Sequence, residues 1–410
     1  METGVVGKTG GDKPVLVIGG GLGGLSMALE LGRRGRPVHV LEQARAISPI
    51  GYGIQLGPNV FDVFDRMGLT DEVLAVADRP PALSMPDADS GETLLRIPLR
   101  DAGFAARWKR PYVVVHRSDI HQVMLDACRK VPGIELTVNA SFADYVDLGD
   151  AGVEARCVDG RTFKGAALIC ADGVNSRARN LLTGEVPPSQ IGYVAHRTIF
   201  DMKDIPADFP YRDDVVMWAG PGYHVVHYPL RKGTLFNVVA VFKDPAVGRG
   251  DEHVTHEEDV KHVYANAQPM LRKILSMMNL ERRWVLADKE PIRNWSRGRF
   301  TLLGDAAHPT LQSYAQGAGM AIEDAAFLAD LLEKYDYDYA RAFEEYPRKR
   351  LVRTARIQLG SRQMWDFYHA EGVARDVRNA ELRERKVSDY YDCLSWIWNG
   401  DPQLKTNPAI

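Results

Sequence analysis

The chain has 410 residues, 45 % of them hydrophobic and 26 % charged, and a formal net charge of −3. That balance, with both signs interspersed, excludes the basic footprint of a nucleic-acid binder and predicts a solvated mixed surface. The length allows two or three domain-sized units around a core that needs no metal or disulfide to fold.

Residues 1–12 are Gly-rich and are expected to hold no regular structure. Residues 14–18 read as an apolar strand, 22–34 as a helix and 37–41 as a second strand, the βαβ opening of a doubly wound sheet. Helices are predicted over 59–67 and 118–130, the second with Ile120, Val123, Met124 and Ala127 at helical spacing. Residues 166–170 form another buried strand. Residues 192–200, 214–218, 223–230 and 234–242 read as successive strands, separated by Gly and Pro as antiparallel connections require. A strand at 299–303 and a long apolar helix at 316–334 return to the first style. From 339 onward the pattern is helical and charged, weighted by Trp365, Phe367, Tyr368, Trp396 and Trp398, whose commoner role is packing on the main body.

The expected fold class is α/β: a Rossmann-like dinucleotide domain (13–72, 110–190 and 288–335), an inserted antiparallel sheet domain (73–109 and 191–287) and a C-terminal helical segment (336–410). The uncharged stretch 15–29 imitates a secretory signal, but its glycines and the charged continuation argue otherwise. No other stretch approaches the roughly 18 apolar residues that span a bilayer, so no membrane partner is expected. Cys128, Cys157, Cys170 and Cys393 include no CxxC pair, which predicts buried reduced thiols and a cytoplasmic protein.

Gly19, Gly21 and Gly24 fill a GxGxxG pattern between the first strand and the helix that Leu22 opens. The first glycine makes a tight turn, the second admits a pyrophosphate to the backbone, and the third lets helix and strand pack closely. The free N–H groups of the helix start favour phosphate. Glu42, with Gln43 beside it, follows at the distance of an acid that binds a ribose hydroxyl. A glycine turn without a ligand is the competing reading. No second fingerprint occurs, so the chain is either a nicotinamide dehydrogenase or a flavoprotein that meets nicotinamide only in passing. Asp172-Gly173 follows a buried strand, where an ordinary turn is the bland reading. Gly304-Asp305-Ala306-Ala307-His308 follows another, with Gly317-Ala318-Gly319 opening the long helix. Asp305 can accept from a sugar-like hydroxyl, and that helix start can stabilise negative charge on a reduced flavin.

GxGxxG, then Ala171-Asp172-Gly173-Val174-Asn175-Ser176-Arg177, then the Gly304–His308 motif followed by 316–325, together resemble the single-component flavoprotein aromatic hydroxylases. That family includes the 4-hydroxybenzoate and salicylate hydroxylases. The resemblance implies FAD on Gly19, Gly21, Leu22, Gly24, Glu42, Gln43, Arg117, Asp172 and Asp305, with Gln55, Gly317, Ala318 and Gly319 against the flavin. It also implies NADH or NADPH and molecular oxygen as co-substrates, reaction through a flavin hydroperoxide, a small phenolic carboxylic acid as substrate, and a homodimer. Gln312, the stretch 223–231 and the tail at 373–379 and 396–398 are similar to the 3-hydroxybenzoate 6-hydroxylases, which form gentisate. The stretch Tyr193-Val194-Ala195-His196-Arg197 is similar to 6-hydroxynicotinate 3-monooxygenases; salicylate is a third substrate the family offers.

Read apart from the family, His224 and Tyr228 lie four apart on a predicted strand and share a face with Val226, while His227 points away. Histidine suits removal of a phenolic proton, and a tyrosine hydroxyl suits holding a carboxylate. Gln312 could reach the phenolic oxygen. Both strand residues could equally be ordinary sheet residues with satisfied tips. His253, His256, Glu257 and His262 read as a solvated helix start, so no metal is expected. A flavin- or isoprenoid-binding carrier without turnover stays open as a different class, because fold alone does not fix function.

Overall fold

The computed structural model describes residues 13–46, 51–186, 189–244 and 256–404. Residues 1–12 and His253 therefore lie outside the described residues.

The wholly buried strand Val15–Ile18 sits inside a six-stranded sheet. It runs parallel to Val38–Leu41 on one side and to Leu168–Cys170 on the other, and Phe300–Leu302 extends the parallel set. Strands made of unbroken apolar runs are those covered on both faces. Helices Leu22–Arg33, Arg117–Lys130 and Gly317–Lys334 pack on this sheet, with Leu25, Met124, Ile322 and Leu328 in one continuous core that also takes in Val153 and Ala155 of strand Val153–Cys157. Three neighbouring parallel strands thus end at Ile18, Cys170 and Leu302. The three glycine- and aspartate-bearing motifs are the loops that follow them. They gather at the carboxyl edge of one sheet, where open α/β sheets bind ligands.

The second sheet has seven strands, running from Trp284–Asp288 through Ser189–Asp201, Leu235–Lys243, Tyr223–Leu230 and Val215–Gly220 to Ala82–Pro86 and Thr93–Pro98. Its pairings are antiparallel apart from Val215–Gly220 against Ala82–Pro86. Phe236 and His227 pack on Phe209, and Trp218 packs on His227. The opposite face looks toward the first sheet. Helices Tyr339–Tyr368, Gly372–Glu384 and Val387–Trp398 complete the fold.

Several details depart from the sequence reading. The helix expected over 59–67 begins as a 3-10 turn, Pro58–Val60, before the α-helix Phe61–Met67. There the Asn59 amide donates to Gln316 and Glu323, 3.0 and 2.8 Å away. A three-stranded antiparallel sheet (Phe142–Asp147, Val153–Cys157, Thr162–Gly165) went unforeseen, since its strands are short, 6, 5 and 4 residues long. Cys393 is exposed, unlike the other three cysteines, and all four are free thiols. Among the described residues no helix is long and apolar enough to cross a membrane, and no group of His, Cys, Asp or Glu could hold a metal.

Candidate active site

Gly19 sits at φ +102°, where a Cβ would overlap the carbonyl of Ala171. A Cβ on Gly24 would overlap the carbonyl of Gly19, while one on Gly21 would meet nothing within 4 Å. The first and third glycines therefore serve the fold, and the second faces open space. Gly21 caps the first helix without any side-chain hydrogen bond, so the N–H groups of its first turn stay available. Glu42 is held beside this loop: its carboxylate accepts from Gly20 N at 2.6 Å and from Ala44 N at 2.8 Å. Gln43 is exposed next to it.

Asp172 is committed locally. Its two oxygens accept from the Ser176 hydroxyl (2.6 Å) and Ala178 N (3.1 Å), which secures the start of helix Arg177–Thr183. Asp305 has no such commitment: its side chain lies exposed in a large cavity. The protein packed around that cavity desolvates it and raises its pKa, opposed by His308 and by Arg117, whose exposed side chain starts helix Arg117–Lys130. The N terminus of helix Gly317–Lys334 opens on the same cavity at Gly317 and Ala318, again with no side-chain cap.

The cavity has a volume of about 780 Å³. Gln55, Asp305, Gly317 and Ala318 line one wall, and His224, Val226 and Tyr228 line the wall made by strand Tyr223–Leu230. Both polar strand residues are nearly inaccessible, at 2 % and 3 % exposure. His224 is pushed well below the ordinary histidine range by burial and by His369, so it is uncharged at neutral pH. The Tyr228 hydroxyl is raised by burial, with Arg197 and Gln55 opposing. Gln312 does not stand alone at the cavity: its amide oxygen accepts from the Arg197 guanidinium at 2.9 Å. Gly319 lies one position behind this wall, against Gln316 and Val60.

Arg197, Tyr112 and His369 were not singled out from sequence. Arg197 is the cation of strand Ser189–Asp201, in the stretch Val194-Ala195-His196-Arg197 whose strand neighbours are half-buried or buried, and that contrast was the available signal. Tyr112 donates to Gln55 at 2.6 Å, and His369 contacts His224 at 2.7 Å. Neither pairing leaves a mark in local sequence.

A family described as FAD binding domain matches residues 12–356. The chain belongs to this family. The open Gly21 face, the uncapped helix N termini and the cavity-lining, uncommitted Asp305 carboxylate fit such a group. Over 390 residues the chain is 41 % identical to a 3-hydroxybenzoate 6-hydroxylase of Polaromonas naphthalenivorans (strain CJ2), covering 95 % of this chain and 96 % of the relative. It is 35 % identical to a 6-hydroxynicotinate 3-monooxygenase of Bordetella bronchiseptica over 85 % of this chain and 90 % of that one. Among solved structures, Klebsiella pneumoniae HpxO complexed with FAD and uric acid superposes with a TM-score of 0.82 at 26 % identity, covering 95 % of this chain and 98 % of that one. This member of the FAD-binding family is a flavoprotein aromatic monooxygenase, with FAD as its cofactor.

Proposed function

We propose that the chain hydroxylates 3-hydroxybenzoate at the carbon para to its hydroxyl, giving 2,5-dihydroxybenzoate, with NADH or NADPH and molecular oxygen. The observation that carries the reading is one cavity lined by an uncharged histidine, a half-buried arginine and the uncapped helix start at Gly317. A phenolic acid needs both: a base for the hydroxyl and a fixed cation for the carboxylate.

Gly19, Gly21, Leu22, Gly24, Glu42, Gln43, Arg117 and Asp305 would hold FAD, which would supply electron transfer from the nicotinamide and activation of oxygen. Asp172 contributes by fixing the loop after Cys170. His224 takes the phenolic proton on its ring nitrogen, leaving the electron pair on oxygen and raising electron density at the ortho and para carbons. Gln312, with its carbonyl given to Arg197, keeps its NH₂ group to donate to the phenolate. Arg197 and Tyr228, which act on each other electrostatically, hold the carboxylate. The apolar walls at Val226, Val239 and Leu311 exclude water. A homodimer and a cytoplasmic location complete the proposal, the first on family resemblance and the second on four unpaired cysteines.

His224→Ala and His224→Gln are expected to lower hydroxylation by about 100-fold or more while FAD stays bound. Full turnover by both variants at every pH would remove His224 from this role.

A further inference from the structure

His224 has two ring nitrogens, and only a bare one can accept a proton. Its Nδ1 is committed to His369 Nε2, 2.7 Å away, which leaves Nε2 for the cavity. Both rings are buried and uncharged: burial, with His369 beside it, holds His224 low, and burial, with Arg378 nearby, pushes His369 down to about 3. Two neutral imidazoles sharing one hydrogen bond have two arrangements. If His369 donates, His224 carries its proton on Nε2 and is useless as a base. If His224 donates, its Nε2 is bare.

Only the second arrangement gives the proton acceptor proposed above, and it requires His369 Nε2 to accept from His224 Nδ1. His369 caps the C terminus of the 30-residue helix Tyr339–Tyr368, its backbone N–H donating to the Trp365 carbonyl at 3.2 Å. Its Nδ1 is buried with no hydrogen-bond partner among the described residues, so the ring meets His224 through Nε2. The ring is clamped in place by stacking on Tyr193 at 4.6 Å and by the edge of Trp365 at 4.8 Å. Glu371 and Asp366 act on Tyr193 from outside, and Tyr368 meets the His224 ring at 6.2 Å.

We propose that His369 is a positioning residue that fixes the tautomer of His224, keeping Nε2 bare to accept the phenolic proton. This rests on the reading of His224 as the proton acceptor. The proton moves from the phenolic oxygen to His224 Nε2, the imidazolium so formed lies beside the phenolate, and its Nδ1–H stays bonded to His369.

The test compares His224→Asn, His369→Phe, His369→Gln and the double variant His224→Asn/His369→Phe, each loaded with FAD, with 3-hydroxybenzoate. His369→Phe keeps an aromatic ring but no acceptor, and is expected to lower kcat about 10- to 100-fold with KM within about threefold. His369→Gln keeps a carbonyl acceptor and is expected to recover much of that loss. The double variant should be no slower than His224→Asn alone, because both changes disable one base. In the native FAD-bound protein, ¹⁵N imidazole shifts should show His224 protonated on Nδ1 and bare on Nε2, a reading that needs no variant to fold. A slow His224→Asn beside a His369→Phe at the native rate and pH profile overturns this inference alone, as does a His224 protonated on Nε2. A His224→Asn at full rate overturns the reading beneath it as well.

Discussion

At the scale of single residues, the site divides into groups that local spacing reveals and groups that only the fold brings together. Period two along strand Tyr223–Leu230 is enough to set His224, Val226 and Tyr228 on one face, and that face forms the cavity wall. The Arg197–Gln312 bond joins positions 115 apart, and the His224–His369 bond joins positions 145 apart, so no local pattern encodes either. Arg197→Met removes the half-buried cation and leaves Gln312 without its donor. Charge-assisted bonds of this kind are worth about 1.5–3 kcal/mol, so the KM for 3-hydroxybenzoate should rise by about 10- to 100-fold with FAD content unchanged. An unaltered KM in steady-state assays would take Arg197 out of substrate binding. Because burial and His369 hold His224 well below the ordinary value of about 6.5, its basic form persists as pH falls through 6.5. The acid limb of kcat/KM is therefore expected below that pH. A limb at 6.5 or higher would contradict an uncharged buried base.

At the scale of elements, the strand–loop–helix at 15–33 was the most legible part of the chain, because Gly19 and Gly24 answer local steric demands within it. The structure separates their roles. Gly24→Ala places a methyl group on the Gly19 carbonyl and should yield protein that is unstable or free of FAD. Gly21→Ala meets no protein atom, so the fold should melt at the native temperature without FAD while FAD affinity falls by about tenfold or more. Thermal melts of the FAD-free proteins and fluorescence titration with FAD distinguish the two. Less legible was the small sheet built from Phe142–Asp147 and its neighbours, whose short strands are half-exposed and alternate over only 5 residues, in Val153–Cys157.

At the scale of the whole molecule, buried charge ties the C-terminal segment to the FAD-binding half. Arg350, fully inaccessible, bonds Glu323 (3.1 Å), Asp324 (2.7 Å) and Asp401 (2.6 Å). Asp324 also accepts from His308 and from Gly304 N, so the loop bearing Asp305 is held from behind by the same cluster. Arg353 carries the link onward to the carbonyls of Trp396 and Ile397. None of this was readable from composition, since charged residues in helices normally face water. Removing one partner of a buried network costs about 3–5 kcal/mol, so Arg350→Met should lose about that much stability to denaturant and release FAD. A second tie, Asp87 with Arg375, fastens helix Gly372–Glu384 to the seven-stranded sheet. Burial alone would raise the Asp87 pKa, but the Arg375 hydrogen bonds and charge bring it to about 2. Its folded value lies below its unfolded one, so its contribution is full above pH ~4 and is lost as pH falls toward 2. Acid titration of unfolding should therefore be shallower in Asp87→Asn than in the native protein across that window.

The central claim is a reaction, and product analysis tests it most directly. Purified FAD-loaded protein is incubated with NADH or NADPH and oxygen, in turn with 3-hydroxybenzoate, salicylate, 4-hydroxybenzoate and 6-hydroxynicotinate, and the products are separated and weighed by mass spectrometry. Nicotinamide oxidation matched by 2,5-dihydroxybenzoate from 3-hydroxybenzoate is the predicted result. Hydroxylation of another compound in its place would contradict the substrate, and no stimulated oxidation with any of them would contradict the phenolic acid site itself.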